Sequence, residues 1–128
     1  MIPLDCVNDA ATSYHVSAKL IIAVLETEHG KNATLTKNKN GTYDIGLMAI
    51  NSLWLPELKK HGITQQDIQF DACINIKVGA FILSKKIAGR DDLGLGIGDY
   101  NSHNVPLNTI YYQKVKVNLT KITLLLNE

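Results

Sequence analysis

Apolar residues recur at steps of three and four along most of this chain, and that spacing commits it to helices. The clearest case is the run Leu20-Ile21-Ile22-Ala23-Val24-Leu25-Glu26-Thr27-Glu28-His29-Gly30. Counting back by fours from Glu28 gives Val24 and Leu20, flanked by Ile21 and Leu25. A carboxyl group therefore continues the apolar face of a helix, where a core residue is expected. Gly30 reads as the C-terminal cap, which sets Glu28 near the negative end of the helix dipole. Burial and dipole both disfavour the ionised carboxylate and raise its pKa, so Glu28 is a candidate general acid. A Glu at the edge of an apolar stripe can also simply reach water, and this segment alone leaves both readings open. Glu26 points about 200° around the helix and reads as a solvated charge.

The same periodicity gives a helix from Pro3 to His15, with Val7, Ala10, Ala11 and Tyr14 on one face. Ser17 caps the helix that ends at Glu28 or His29. Ser52 caps another, with Pro56 in or near its first turn and its end by Gly62. Thr64 to Asp67 is a capped helical turn. Asp71 starts a strong helix with Cys73, Ile76, Gly79, Ala80, Leu83 and Ile87 in line, stopped by Gly89. Leu93 to Ser102 is a short helix whose glycines allow close helix packing or close approach to a ligand. Pro106 opens the last helix, with Val115, Leu119, Ile122 and Leu126 facing inward. Only residues 30 to 45 break the pattern. There, Thr34-Leu35-Thr36 and Thr42-Tyr43-Asp44 are expected to pair as a small hairpin around Asn40-Gly41. The sole tryptophan, Trp54, is assigned to the core rather than to a ligand platform.

A chain of 128 residues fits one domain with a real core, and 45% hydrophobic with 20% charged residues describes an ordinary soluble globule. Thirteen Lys and Arg against twelve Asp and Glu leave a net charge of +1, which gives no push toward nucleic acid or an acidic membrane surface. No apolar run approaches the ~18–20 residues needed to span a bilayer. Cys6 and Cys73 lack partners at zinc spacing, so no metal site is expected, and no cofactor is. On count alone they are either a disulfide or two thiols. The chain opens Met1-Ile2-Pro3-Leu4-Asp5-Cys6 without a basic and apolar leader, which suits a cytosolic chain or one whose signal peptide has been removed.

Several segments, in order, carry a resemblance. Val24 to Gly30 matches I-A-x-x-E-S-G. Asn38 to Asn51 matches N-x-N-G-S-x-D-x-G-L-M-Q-I-N. Asp71 to Leu83 matches D-x-C-x-N-I-x-x-G-A-x-I-L. Asp99 to His103 aligns with A-Y-N-A-G, and Tyr111 to Val115 with Y-x-x-K-V. Over roughly Cys6 to Val115 the chain resembles the small lytic transglycosylases of the goose-lysozyme-like superfamily, and among them the group associated with secretion, conjugation and pilus systems. The resemblance implies a mainly α, lysozyme-like (goose-type) single domain with one small β-hairpin. It implies cleavage of the β-1,4 bond between N-acetylmuramic acid and N-acetylglucosamine in peptidoglycan, leaving a 1,6-anhydro end.

By the same resemblance Glu28 is the catalytic residue. Gly46, Met48, Tyr100, Asn101 and Tyr111 bind substrate, with Tyr111 hydrogen bonded to Glu28 and Met48 beside the cleft floor. Cys6 and Cys73 form a disulfide. The expected partners are peptidoglycan glycan strands and components of a secretion or conjugation apparatus, the chain being a monomer, periplasmic or secreted after loss of a leader. No convincing second carboxylate is present. Asp44 is expected to hold the turn before Gly46 through backbone hydrogen bonds, and Asp99 inherits no role. Three departures stand out: His29 replaces the serine after the glutamate, Ala49 the glutamine before Ile50, and Ser102-His103 the Ala-Gly of the fourth motif. Ala49 and His29 motivate one alternative, a catalytically weak or inactive peptidoglycan-binding assembly protein of the same fold; a separate alternative is a hydrolase using cleft water.

Overall fold

A computed structural model describes residues 2–126 of the chain. Among the described residues seven α-helices surround a small sheet: α1 (Leu4–Tyr14), α2 (Ala18–Glu28), β1 (Leu35–Lys37), β2 (Tyr43–Ile45), β3 (Ile50–Asn51), α3 (Leu55–Lys60), α4 (Gln65–Phe70), α5 (Ala72–Ala88), α6 (Leu93–Asp99) and α7 (Val105–Leu126). None of these helices is long and apolar enough to cross a membrane. The mainly α expectation holds, and the expected hairpin pairs with Leu35 opposite Ile45 and Lys37 opposite Tyr43.

The sheet has a third strand that the sequence did not reveal. β3 runs antiparallel to β2, with Ile45 opposite Ile50 and Asp44 opposite Asn51. Two residues are too few to show an alternation of faces.

Helix ends follow local chemistry, with two corrections. Ser17 and Asp71 cap α2 and α5 as expected, accepting from the backbone N–H of Leu20 and Ile74, and Thr64 with Asp67 forms a reciprocal capping box on α4. The left-handed residue ending α2 is His29 (φ 54°), not Gly30. Gly30 is required for a different reason: a Cβ there would run into the carbonyl oxygens of Gly46 and Leu47. The cap before α3 is Asn51, whose side chain accepts from Leu53 N–H at the head of a short 3-10 turn, Ser52–Trp54. Ser52 instead accepts from Tyr43 N–H at 3.1 Å, joining that turn to β2.

The core gathers the inward faces of α1, α2 and α5 around Val7, Ile21, Val24, Ile76 and Leu83, closed by Ile45, Met48 and Ile50 from the sheet region and Val115 from α7. Leu119 and Ile122 pack against it as expected, while the side chain of Leu126 lies outside the described residues. The short helix α6 sits tightly between α5 and α7, where a Cβ on Gly96 would meet Ile87 and one on Gly98 would meet Asn108. A disulfide joins Cys6 of α1 to Cys73 of α5 across 67 residues of sequence.

Candidate active site

The groove forms where the last turn of α2, the sheet and the α6–α7 corner meet. Its walls include Glu28, Asp44, Trp54, Tyr100, Asn101 and Ser102, and it encloses about 350 Å3. A second recess of about 290 Å3 continues it past Glu28 and Asp44 toward Gly30, Thr34 and Gly46. Glu28 and Asp44 border both, so open space runs along the carboxyl group on two sides.

Glu28 is half-buried as the final residue of α2. Tyr111 of α7 donates its hydroxyl to Glu28 Oε2 at 2.6 Å. The two helices are fastened again at the neighbouring residue of α2, where Asn118 Nδ2 donates to Thr27 Oγ1 at 2.9 Å. Burial pushes the Glu28 carboxyl up to about 7; the Tyr111 hydrogen bond opposes this, and the charge of Asp44 adds to it. The Tyr111 phenol is itself buried and beside Glu28, which drives its pKa far up and keeps it a donor. Tyr100 stacks on Tyr111 with ring centroids 6.4 Å apart.

The remaining expected residues divide. Tyr100 and Asn101 both line the groove. The Tyr100 hydroxyl is committed to the carbonyl of Met48 at 2.6 Å. Gly46 (φ 68°) lines the recess past Glu28, and the space a Cβ would need there is filled by the Asn75 amide. Met48 is 0% exposed. Its side chain is core under the floor, against Gly79, and presents no surface to the groove. Only its backbone carbonyl, holding Tyr100, touches the site.

Asn75 is a residue the sequence reading passed over. Its Oδ1 accepts from Met48 N–H at 2.8 Å, and its Nδ2 donates to the carbonyls of Ile45 and Ile68 at 2.9 and 2.8 Å. One buried amide thus fixes the sheet turn, α4 and α5 together beneath the site. Its place on the α5 stripe beside Ile76, a polar residue on a buried face, was the available signal.

Asp44 also differs from expectation. Its Oδ1 accepts from the side chains of Asn38 (3.1 Å) and Asn51 (3.3 Å), not from the backbone, and it is a second carboxylate on the groove. Trp54 is half-buried and lines the groove, so it is not simply core. Ala49 presents a methyl group in both recesses and holds a left-handed backbone (φ 51°). His29 is exposed at the helix end. Asp99 is 4% exposed and bound by Arg90 through Nε at 2.6 Å and Nη2 at 3.1 Å.

A family described as the transglycosylase SLT domain matches residues 5–115. The chain belongs to that family. Among curated relatives, this SLT chain is 31% identical over 123 residues to the invasion protein IagB of Salmonella typhimurium, covering 92% of the chain and 77% of that protein. It is 35% identical over 106 residues to a peptidoglycan-binding-like protein of Escherichia coli O157:H7, covering 76% and 63% respectively. The protein IpgF of Shigella flexneri is 26% identical over 103 residues, with 80% and 68% covered. The SLT match spans α1 to the first half of α7, so it takes in every element that borders the groove.

Proposed function

We propose that this chain is a peptidoglycan lytic transglycosylase, with Glu28 acting alone as acid and then base. The reading rests on one observation above all: a half-buried carboxyl group, raised to about 7 and held by the Tyr111 hydroxyl at 2.6 Å, bordering a groove. Protonated Glu28 gives its proton to the glycosidic oxygen as the bond from the muramyl anomeric carbon breaks. The N-acetylglucosamine 4-hydroxyl leaves. The Glu28 carboxylate then takes the proton of the muramyl C6 hydroxyl while that oxygen bonds the anomeric carbon. The 1,6-anhydro ring closes, Glu28 regains its proton, and no water is consumed. Asp44, held by two asparagine amides, favours positive charge developing on the sugar ring. Asn101 and the Tyr100 ring form the sugar-facing wall. Gly46 lets the chain turn close behind Glu28.

The reaction places the chain outside the cytoplasm, as a periplasmic or secreted protein, and the Cys6–Cys73 disulfide suits an oxidising compartment. Similarity to a relative named as an invasion protein supports work beside a secretion or conjugation machine, opening the wall locally. The test is digestion of purified sacculi with product masses read by mass spectrometry. Anhydro-muropeptides from the wild type and none from Glu28→Gln support the reading; reducing ends one water heavier indicate a hydrolase.

One observation favours a second reading. The Ala49 methyl, where the family pattern has glutamine, removes a polar group from both recesses. A wall-binding protein of low activity would retain sacculi without releasing either product, with Glu28→Gln binding equally well.

A further inference from the structure

The main groove and a smaller recess share Trp54. The smaller recess holds about 240 Å3 and is formed by Trp54, Lys85, Lys86, Arg90, Asp99 and His103 around Gly89. We propose that this recess binds carboxylate groups on the peptide stems of a glycan strand lying in the groove. The proposal rests on the groove being a peptidoglycan site and assigns it a stem-recognising subsite.

The two compartments have opposite electrostatic character. The carboxylic acids lining the groove are Glu28 and Asp44. The recess carries three cations and one carboxylate. That carboxylate, Asp99, is used up internally: Arg90 and the Asn108 amide (2.7 Å) bind it, and Arg90 holds its pKa below the usual carboxylate range. Lys85 meets Glu57 at 3.2 Å. The excess positive charge therefore falls to Lys86 and to the guanidinium N–H groups that Arg90 does not spend on Asp99. Lys86 Nζ stands 3.0 Å from His103 Nε2 and 5.6 Å from the centre of the Trp54 ring. His103 Nδ1 lies 3.5 Å from Asp99 Oδ1. In the tautomer with the proton on Nδ1, His103 Nε2 accepts from Lys86 and holds the ammonium group in the recess. Two of the three Lys86 protons remain for a ligand.

A strand threading the groove presents sugars to Asn101 and Tyr100, while its muramyl units carry peptides ending in carboxylates. Asp44 in the groove repels those groups and the recess across Trp54 attracts them. His103 stands where the family pattern has glycine, so the Lys86–His103–Asp99 chain belongs to this sequence.

The experiment compares glycan strands bearing peptide stems with the same strands stripped by an amidase. Binding is measured on the Glu28→Gln protein and anhydro-product release on the active protein. Wild-type groove and recess together are expected to prefer the peptide-bearing strands. Lys86→Met should cut that preference about three- to fivefold, the effect of one partly exposed charge pair. Lys86→Arg should keep it, Lys86→Glu should reverse it, and raised salt should erode it. Equal affinity of the Glu28→Gln protein for both strands, or an equal loss on both when Lys86→Met is added to it, overturns the subsite. Absence of anhydro product from either strand instead overturns the proposed reaction, while the binding comparison still reads the recess.

Discussion

A carboxyl group that titrates near 7 when folded and near 4.5 when unfolded makes the fold weaker as pH rises. The folded chain binds the Glu28 proton more tightly. Its stabilising effect is whole below pH 4.5, fades as pH climbs toward 7 and is absent above. The displacement corresponds to at most about 3 kcal/mol. Glu28→Gln, which is neutral at every pH, should therefore be more stable than wild type at pH 8, by about 2–3 kcal/mol, with the gap closing toward pH 4.5. Denaturant titrations at the two pH values measure this, and a pH-independent gap would mean the carboxyl is solvated. The same proton sets the rate: activity should fall above about pH 7, where the acid is lost. Tyr111→Phe removes the hydrogen bond that lowers the Glu28 pKa, so the alkaline limb of the pH–rate profile should move upward. The rate should drop about tenfold or more, since the carboxylate loses a charge-assisted hydrogen bond. A limb that stays in place would separate Tyr111 from the proton transfer.

Between elements, the site depends on how short segments are fastened to long helices. Asn75 reaches from α5 to three backbone groups, of Ile45, Met48 and Ile68. Asn75→Ala should cost about 2–5 kcal/mol, because each backbone group left unpaired away from water costs about 1–3 kcal/mol. Thermal and denaturant unfolding read the loss, and a change under 1 kcal/mol would show the turn holding itself. The long helices were legible because burial of one face imposes a 3.6-residue period, as in Val24, Leu20 and Glu28. The caps were legible where a side chain makes the bond, at Ser17, Thr64 and Asp71. They were misread before α3, where Asn51 rather than the next residue Ser52 makes the bond, and where conformation alone ends the helix: His29 takes the left-handed turn, and Gly30 is kept small by neighbouring carbonyls. β3 escaped because its partner, not its own pattern, makes it a strand. Glu28 stood out as a carboxyl on an apolar face, whereas Tyr111 was reached only through motif order, since 83 residues separate it from the group it touches. Trp54 and the Arg90–Asp99–His103 cluster depend on how α5 and α6 pack, which no local pattern encodes.

At the scale of the whole molecule, the covalent link and the chemistry occupy different parts of the fold. The disulfide ties α1 to α5, whereas Glu28, Asp44, Tyr100 and Tyr111 come from α2, β2, the end of α6 and α7. Closing 67 residues of chain restricts the unfolded state and stabilises the fold by about 4 kcal/mol in the chain-entropy description. The Cys6→Ser, Cys73→Ser double variant should therefore lose about that much in denaturant unfolding. Its helical circular dichroism and its anhydro-product rate per folded molecule should stay close to wild type at low temperature. A rate that collapsed while the helices remained would mean that the α1–α5 pair holds the groove open and not merely the chain together. A loss of helix on reduction at low temperature would mean that this core is too small to stand without its covalent link, and that the fold forms only where thiols are oxidised.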